Sequence, residues 1–248
     1  MNYSRFQALL IDIDDTIVRL KHGISLPENQ HFKDWTGSLL SVLQRAGVEL
    51  GGLTPEETDT RMARVRAEVK WWQYDDFVRA LDLDPTSFWA FAHQHELAYL
   101  EPTGGEIKIA LEQLRGAGIK LYITSNNPNS GIVHKLRLSG IGDLSLFDRL
   151  LGASELRAMK WEPIFWERAL ARVGLPVERV AVIGDNPRDD CAVPREAGIT
   201  HSFLIDRGRN RSAESSELVT YVQNFSEIAE CLLPHGGTRG DAGSSAGG

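Results

Sequence analysis

Ala8, Leu9, Leu10 and Ile11 lead without a polar interruption into Asp12, Ile13, Asp14, Asp15 and Thr16, and then into Ile17 and Val18. An apolar run with no alternation describes a strand covered on both faces, as inside a parallel sheet flanked by helices. The acids then lie where that strand emerges at its C-terminal edge, which is where open α/β sheets hold their chemistry. Three carboxylates within four residues repel one another. A hard divalent cation with oxygen ligands offsets such a charge.

The remainder of the chain supports an α/β reading. Leu121-Tyr122-Ile123, Leu150-Leu151, Val180-Ala181-Val182-Ile183 and Phe203-Leu204-Ile205 read as further strands. Between them, Glu106 to Arg115 carries Ile107, Ala110, Leu111 and Leu114 at helical spacing, ended by Gly116 and Gly118. Pro163 to Val173 has proline in a first turn and Gly174 just past its end. Strands alternating with helices imply right-handed βαβ units and a mostly parallel, Rossmann-like sheet.

Residues 19–103 break this rhythm. They hold amphipathic helical segments, Leu39 to Arg45, Pro55 to Trp72, Tyr74 to Leu81 and Ser87 to Leu100, and no convincing buried strand. Thr54, Pro55, Glu56 and Glu57 form a helix start with cap, proline and acids in place. The expected organisation is therefore a core of residues 1–18 and 104–233, with a helical insertion, 19–103, after the first strand. Trp35, Trp71, Trp72 and Trp89 within it are expected to pack rather than to bind a ligand. Residues 234–248, rich in glycine and serine, read as a disordered tail.

Composition limits the function classes. A net charge of −7 over 248 residues argues against a nucleic-acid footprint, so an anionic substrate needs local cations. Cys191 and Cys231 belong to no zinc or disulfide pattern. The N-terminus lacks a signal-peptide layout and no apolar run reaches membrane length, so a cytoplasmic location is the default expectation.

The loops after the strands carry the remaining chemistry. Thr124, Ser125, Asn126 and Asn127 follow one strand, where a hydroxyl and free backbone N–H groups at a helix start suit an anion. Alone this is an ordinary helix cap. Gly184 and Asp185 follow another, with Asp189 and Asp190 further along the loop. Alone this is a polar turn, and Lys160 before Pro163 alone is a surface lysine.

In this order, DxDxT, Ser-Asn, Lys and GDxxxxD resemble the four motifs of the haloacid dehalogenase-like (HAD) superfamily, over about Tyr3 to Val18 and Gly104 to Ile205. The resemblance implies a Rossmann-like core with a helical cap, and residue roles follow from it. Asp12 matches the nucleophile that forms an aspartyl-phosphate. Asp14 matches the acid/base, a position the dehalogenase branch leaves without Asp. Ser125, with the N–H of Asn126, matches the phosphoryl grip, and Lys160 the neutralising lysine. Asp185 matches a magnesium ligand, joined by the Asp12 side chain and the Asp14 backbone carbonyl. Asp190 matches the second acid of that loop, with Asp189 as the alternative. Two positions depart from the family pattern. Asp15 stands where glycine is common, and Trp161 stands where proline is frequent and could shift the lysine's backbone.

The implied activity is magnesium-dependent hydrolysis of a small phosphomonoester. A sugar-phosphate mutase and a non-catalytic binding protein on the same fold are the rival readings. Arg19, Lys21, His22, His31 and Lys33 could meet a substrate's distal end.

Overall fold

A computed structural model of the chain describes residues 3–20, 39–70, 73–96, 100–101, 105–207 and 214–233. Its centre is a six-stranded sheet, every pair parallel: β1 (Ala8–Ile11), β4 (Lys120–Ser125), β5 (Arg149–Gly152), β6 (Val180–Gly184), β7 (Ser202–Ile205) and β8 (Val219–Val222), in the order β5-β4-β1-β6-β7-β8. The chain leaves β1 towards β4 and β5, then crosses back to β6 on the other side. This reversal opens a crevice at the strand ends beside β1, flanked by the loops that follow β4 and β6.

The apolar run of β1 is fully buried because both faces of the sheet are covered. Leu9 and Ile11 enter a core with Leu111 and Leu114 of α5 (Gly105–Gly116), Ile132 and Leu136 of α6 (Asn129–Leu138), and Ile228 of α10 (Phe225–Leu232). Ala8 and Leu10 enter the opposite core with Phe165 and Trp166 of α8 (Pro163–Val173). Pro163 starts α8 and Gly174, at φ +67°, ends it in the left-handed region that favours glycine.

The segment 19–103 contributes α1 (Leu39–Glu49), α2 (Pro55–Glu68), α3 (Tyr74–Ala80) and α4 (Pro85–Glu96). They share a core of their own, with Leu43, Met62, Val65, Phe77, Leu81 and Phe88, and Trp89 packs against it. Thr54 and Glu57 form a reciprocal capping box at the start of α2. Several expected boundaries move. α1 runs on to Glu49 and α4 starts at Pro85. α2 stops at Glu68 because Val69 turns extended and a hydrogen-bonded turn links Lys70 to Gln73. α4 ends at Glu96, and Leu100 belongs to a strand.

That strand, β3 (Leu100–Glu101), pairs antiparallel with β2 (Arg19–Leu20), and neither joins the main sheet. The pair brings the two ends of the insertion together beside the β1 turn. The sequence reading has neither, because two-residue strands carry no periodicity. It also lacks β8 and α10. Trp35, Trp71, Trp72, Lys21, His22, His31, Lys33 and residues 234–248 lie outside the described residues.

Candidate active site

Beyond β1 the chain closes on itself. The amides of Thr16, Ile17 and Val18 all donate to the Ile13 carbonyl. Asp15 takes φ +52°, which glycine or a short polar residue tolerates, and this explains its place in the motif. The Arg207 guanidinium donates to the Asp15 and Thr16 carbonyls and holds the turn from behind. Sequence reasoning missed Arg207, since nothing near it in the chain marks it.

The turn separates its acids. Asp12 is buried, its Oδ2 accepting from the Thr16 hydroxyl at 3.3 Å and its Oδ1 from Lys160 Nζ at 2.5 Å. Lys160 is only 3% exposed, so it is not the surface lysine that its local sequence suggests. Its Nζ also meets Asp190 Oδ1 at 2.5 Å. Its backbone is fixed on both sides: the N–H donates to Asn126 Oδ1 at 2.7 Å, and the carbonyl accepts from Trp166 Nε1 at 2.8 Å. With these holds in place, the lysine reaches Asp12 even though Trp161 replaces the frequent proline.

Asp190 is fully buried within a π-helical turn, Arg188–Ala192, and its Oδ2 accepts from the Asn186 N–H at 3.1 Å. A Cβ at position 184 would collide with the Asp190 carboxylate, so glycine is required for the loop to fold over it. Asp12, Asp185 and Asp190 each present an oxygen within 4.8 Å of the others, and Asp189 is outside this cluster.

Three carboxylates around one ammonium leave surplus negative charge. Burial, then Asp190 and Asp14, push the Asp12 carboxyl up to about 7 against the pull of Lys160. Burial, then Asp12 and Asp190, push Asp185 up to about 9. Burial opposes the charge on Lys160, but Asp12 and Asp190 outweigh it and hold the ammonium above its ordinary range. The donor set therefore suits a hard divalent cation.

Asp14 faces the other way. Its Oδ1 accepts from Lys135 Nζ at 2.6 Å and its Oδ2 from Asn127 Nδ2 at 2.7 Å. About half of its side chain is open, so desolvation opposes its charge only in part. Lys135 and Asn127 then bring it below the ordinary carboxylate value. Ser125, buried on β4, accepts from the Asn127 N–H at 3.1 Å and from Asn127 Nδ2 at 2.8 Å. Both bonds use its lone pairs, which leaves the hydroxyl hydrogen to donate elsewhere.

The structure thus gathers Asp12, Asp14, Ser125, Asn126, Lys160, Asp185 and Asp190 around one strand end. It adds Lys135 and Asn127, which sequence reasoning missed. The available signal for Lys135 was its place on the apolar stripe of α6, beside Ile132 and Leu136. The inserted helices reach the same region. The Tyr74 hydroxyl donates to the Asn126 carbonyl, and His93 of α4 stacks on His134 of α6 with ring centroids 3.4 Å apart. Arg19, in β2, is half-buried.

Residues 6–198 match the family model described as haloacid dehalogenase-like hydrolase. A phosphoglycolate phosphatase of Colwellia psychrerythraea is 22% identical over 220 residues, covering 82% of this chain and 88% of that protein. Among solved structures, a HAD phosphatase from Thermococcus onnurineus aligns with a TM-score of 0.59 at 20% identity, over 92% of this chain and 98% of that one. A 2-haloacid dehalogenase from Pseudomonas syringae pv. Tomato gives the same TM-score at 18% identity, over 92% and 98%. The likeness in fold therefore spans both chemistries, while the match along most of the sequence is decisive for membership: the chain belongs to the haloacid dehalogenase-like hydrolases.

Proposed function

We propose that this hydrolase is a magnesium-dependent phosphatase of a small phosphomonoester, working through an aspartyl-phosphate at Asp12. The observation that carries the reading is the split between the two acids of the β1 turn. One sits with Lys160 in an acid-rich, cation-seeking cluster, and the other sits two residues on, open to the crevice. The first has beside it the positive charge that a carboxylate attacking an anion needs, and the second has the access that proton transfer at a leaving oxygen needs.

In this scheme an Asp12 oxygen attacks phosphorus as the ester oxygen departs, and Asp14, which enters the step protonated, gives its proton to the leaving oxygen and becomes the carboxylate that serves as base in the second step. Water then attacks the phosphoryl group, its proton passes to Asp14, and inorganic phosphate and free Asp12 are regenerated. Lys160, the Ser125 hydroxyl and the Asn126 N–H hold the non-bridging oxygens. Asp12, Asp185 and the Asp14 carbonyl would hold the metal, with Asp190 behind them. When bound, Mg²⁺ supplies positive charge that screens the carboxylate from the incoming phosphate. The segment 19–103 serves as a cap over the crevice, with Tyr74 as its reach into the phosphate loop. The phosphatase relative supports the choice of reaction. Asp14 separates this reading from the dehalogenase that shares the fold.

The test is phosphate release over a panel of phosphorylated metabolites with Mg²⁺ or chelator. Release that depends on Mg²⁺ is expected. Full activity in chelator, or halide release from 2-haloacids with no phosphate release from any ester, would contradict the proposal.

A further inference from the structure

We propose that Lys135 is the positioning residue for Asp14, an inference that rests on the phosphatase reading above. The ammonium from α6 and the carboxamide of Asn127 form a clamp with one donor for each carboxylate oxygen, at 2.6 and 2.7 Å. The clamp is closed on itself, since Lys135 Nζ also reaches Asn127 Oδ1 at 3.3 Å. Asn127 Nδ2 in turn touches Ser125 Oγ at 2.8 Å. The orientation of the acid is thereby tied to the phosphate-gripping loop, and the β1 turn alone does not set it.

The geometry explains why a lysine stands there. Asn127 lies just before α6 and Lys135 two turns into it, a rise of roughly 10 Å along the axis. Helical side chains lean back towards the N-terminus, and a four-carbon stem on the buried stripe spans that distance with its charge at the tip. A simple stability role is a poor account. A buried ion pair adds little over an apolar pair of the same volume, and Ile132 and Leu136 show that the stripe accepts apolar residues. A helix-end charge is also a poor account, because the ammonium points away from the C-terminal carbonyls and towards Asp14.

A residue that acts through Asp14 has a signature that a structural residue or a substrate-binding residue lacks. Phenyl phosphate has a poor leaving group and needs the proton. 4-Nitrophenyl phosphate has a good one and needs it less. With Mg²⁺ and folded full-length protein, Lys135→Met is expected to lower kcat/KM, which reports the first step, about 100-fold for phenyl phosphate and about 10-fold for 4-nitrophenyl phosphate, and to lower kcat for both, because the second step also needs Asp14. In the Asp14→Asn background the same substitution should cost nothing further, within about threefold. Lys135→Arg keeps the charge and should recover part of kcat/KM with the same leaving-group trend. That variant carries the test if the methionine form does not fold.

Equal losses of kcat/KM on both esters would overturn the proposal. So would a change confined to KM, or a full additional loss in Asp14→Asn. Wild-type protein inactive on both esters would instead overturn the phosphatase reading on which the proposal rests.

Discussion

Lys160 and Lys135 approach the β1 turn from opposite faces of the sheet, one from the start of α8 and one from α6. Each is buried and each ends on an aspartate. Their surroundings differ in charge. Lys160 meets two carboxyl groups with a third close by, more acids than its single charge can neutralise. Lys135 meets the Asp14 carboxylate and the Asn127 amide. On the proposed reading the Lys160 side, with its surplus of acids, is where a divalent cation would be held, and the Lys135 side is where a single acid is positioned. The same Lys–Asp pairing then serves two purposes, and the crowding of acids around Lys160 is what sets the two apart.

The comparison breaks most visibly at the nucleophile. Asp12→Asn should lower Mg²⁺-dependent phosphate release by at least about 10⁴-fold, because the carboxamide cannot form the aspartyl-phosphate on which the proposed mechanism depends. Residual turnover within tenfold of wild type would move the nucleophile elsewhere. Lys160→Met should come next, with a loss of about 10²–10³-fold in kcat. It also removes the only ammonium against Asp12 and Asp190 among the described residues, so the metal-free variant should unfold at lower urea, by about 3–5 kcal/mol. An unchanged unfolding midpoint would show that the pair carries no net stabilisation.

Metal removal sharpens the same contrast. Asp12 and Asp185 lie above their ordinary value in the metal-free fold, so the unfolded chain releases these protons first as pH rises. That part of the stability is full below about pH 4 and is lost as pH climbs towards 7 and 9. Mg²⁺ replaces those protons and should raise Tm more at pH 8 than at pH 5. A Tm gain independent of pH would place the metal away from these acids.

The smallest effect belongs to the contact between the insertion and the core. Burial, then His134 and Lys135, depress His93 to about 4, and burial with Lys135 and Arg137 depresses His134. The unfolded chain takes up these protons first, so this stability is full above about pH 6.5 and is lost as pH falls towards 4. Hydrogen exchange in α4 should speed up over that window, and His93→Phe should flatten the dependence. An identical pH profile in the variant would remove the histidine stack from the account.

The parts of the molecule that could be read in advance are those where chemistry or burial demands a residue type at a fixed spacing. β1 declares itself by four apolar residues, and the Gly184-to-Asp190 spacing by a carboxylate that needs a side chain absent beneath it. α8 is bracketed by Pro163 and Gly174. β8, which alternates and lies at an edge, and the two-residue β2 and β3 have no such signature. Lys135, Asn127, Arg207 and Tyr74 act across 192 residues in one case and more than fifty in the others. Nothing local to them announces a partner so far along the chain. The motif order singled out Lys160, but its burial was not legible, because the acids its ammonium meets, Asp12 and Asp190, lie in separate elements.

The most direct test of the central claim, that Asp12 is the nucleophile and Asp14 the acid/base, is rapid-quench mass spectrometry of Asp14→Asn with 4-nitrophenyl phosphate and Mg²⁺. The good leaving group lets the first step proceed in part, and the missing base stalls the second. The account predicts a phosphoryl mass increase that accumulates on the peptide containing Asp12 and is absent from Asp12→Asn. Phosphate on any other residue, or a burst that persists in Asp12→Asn, would contradict it.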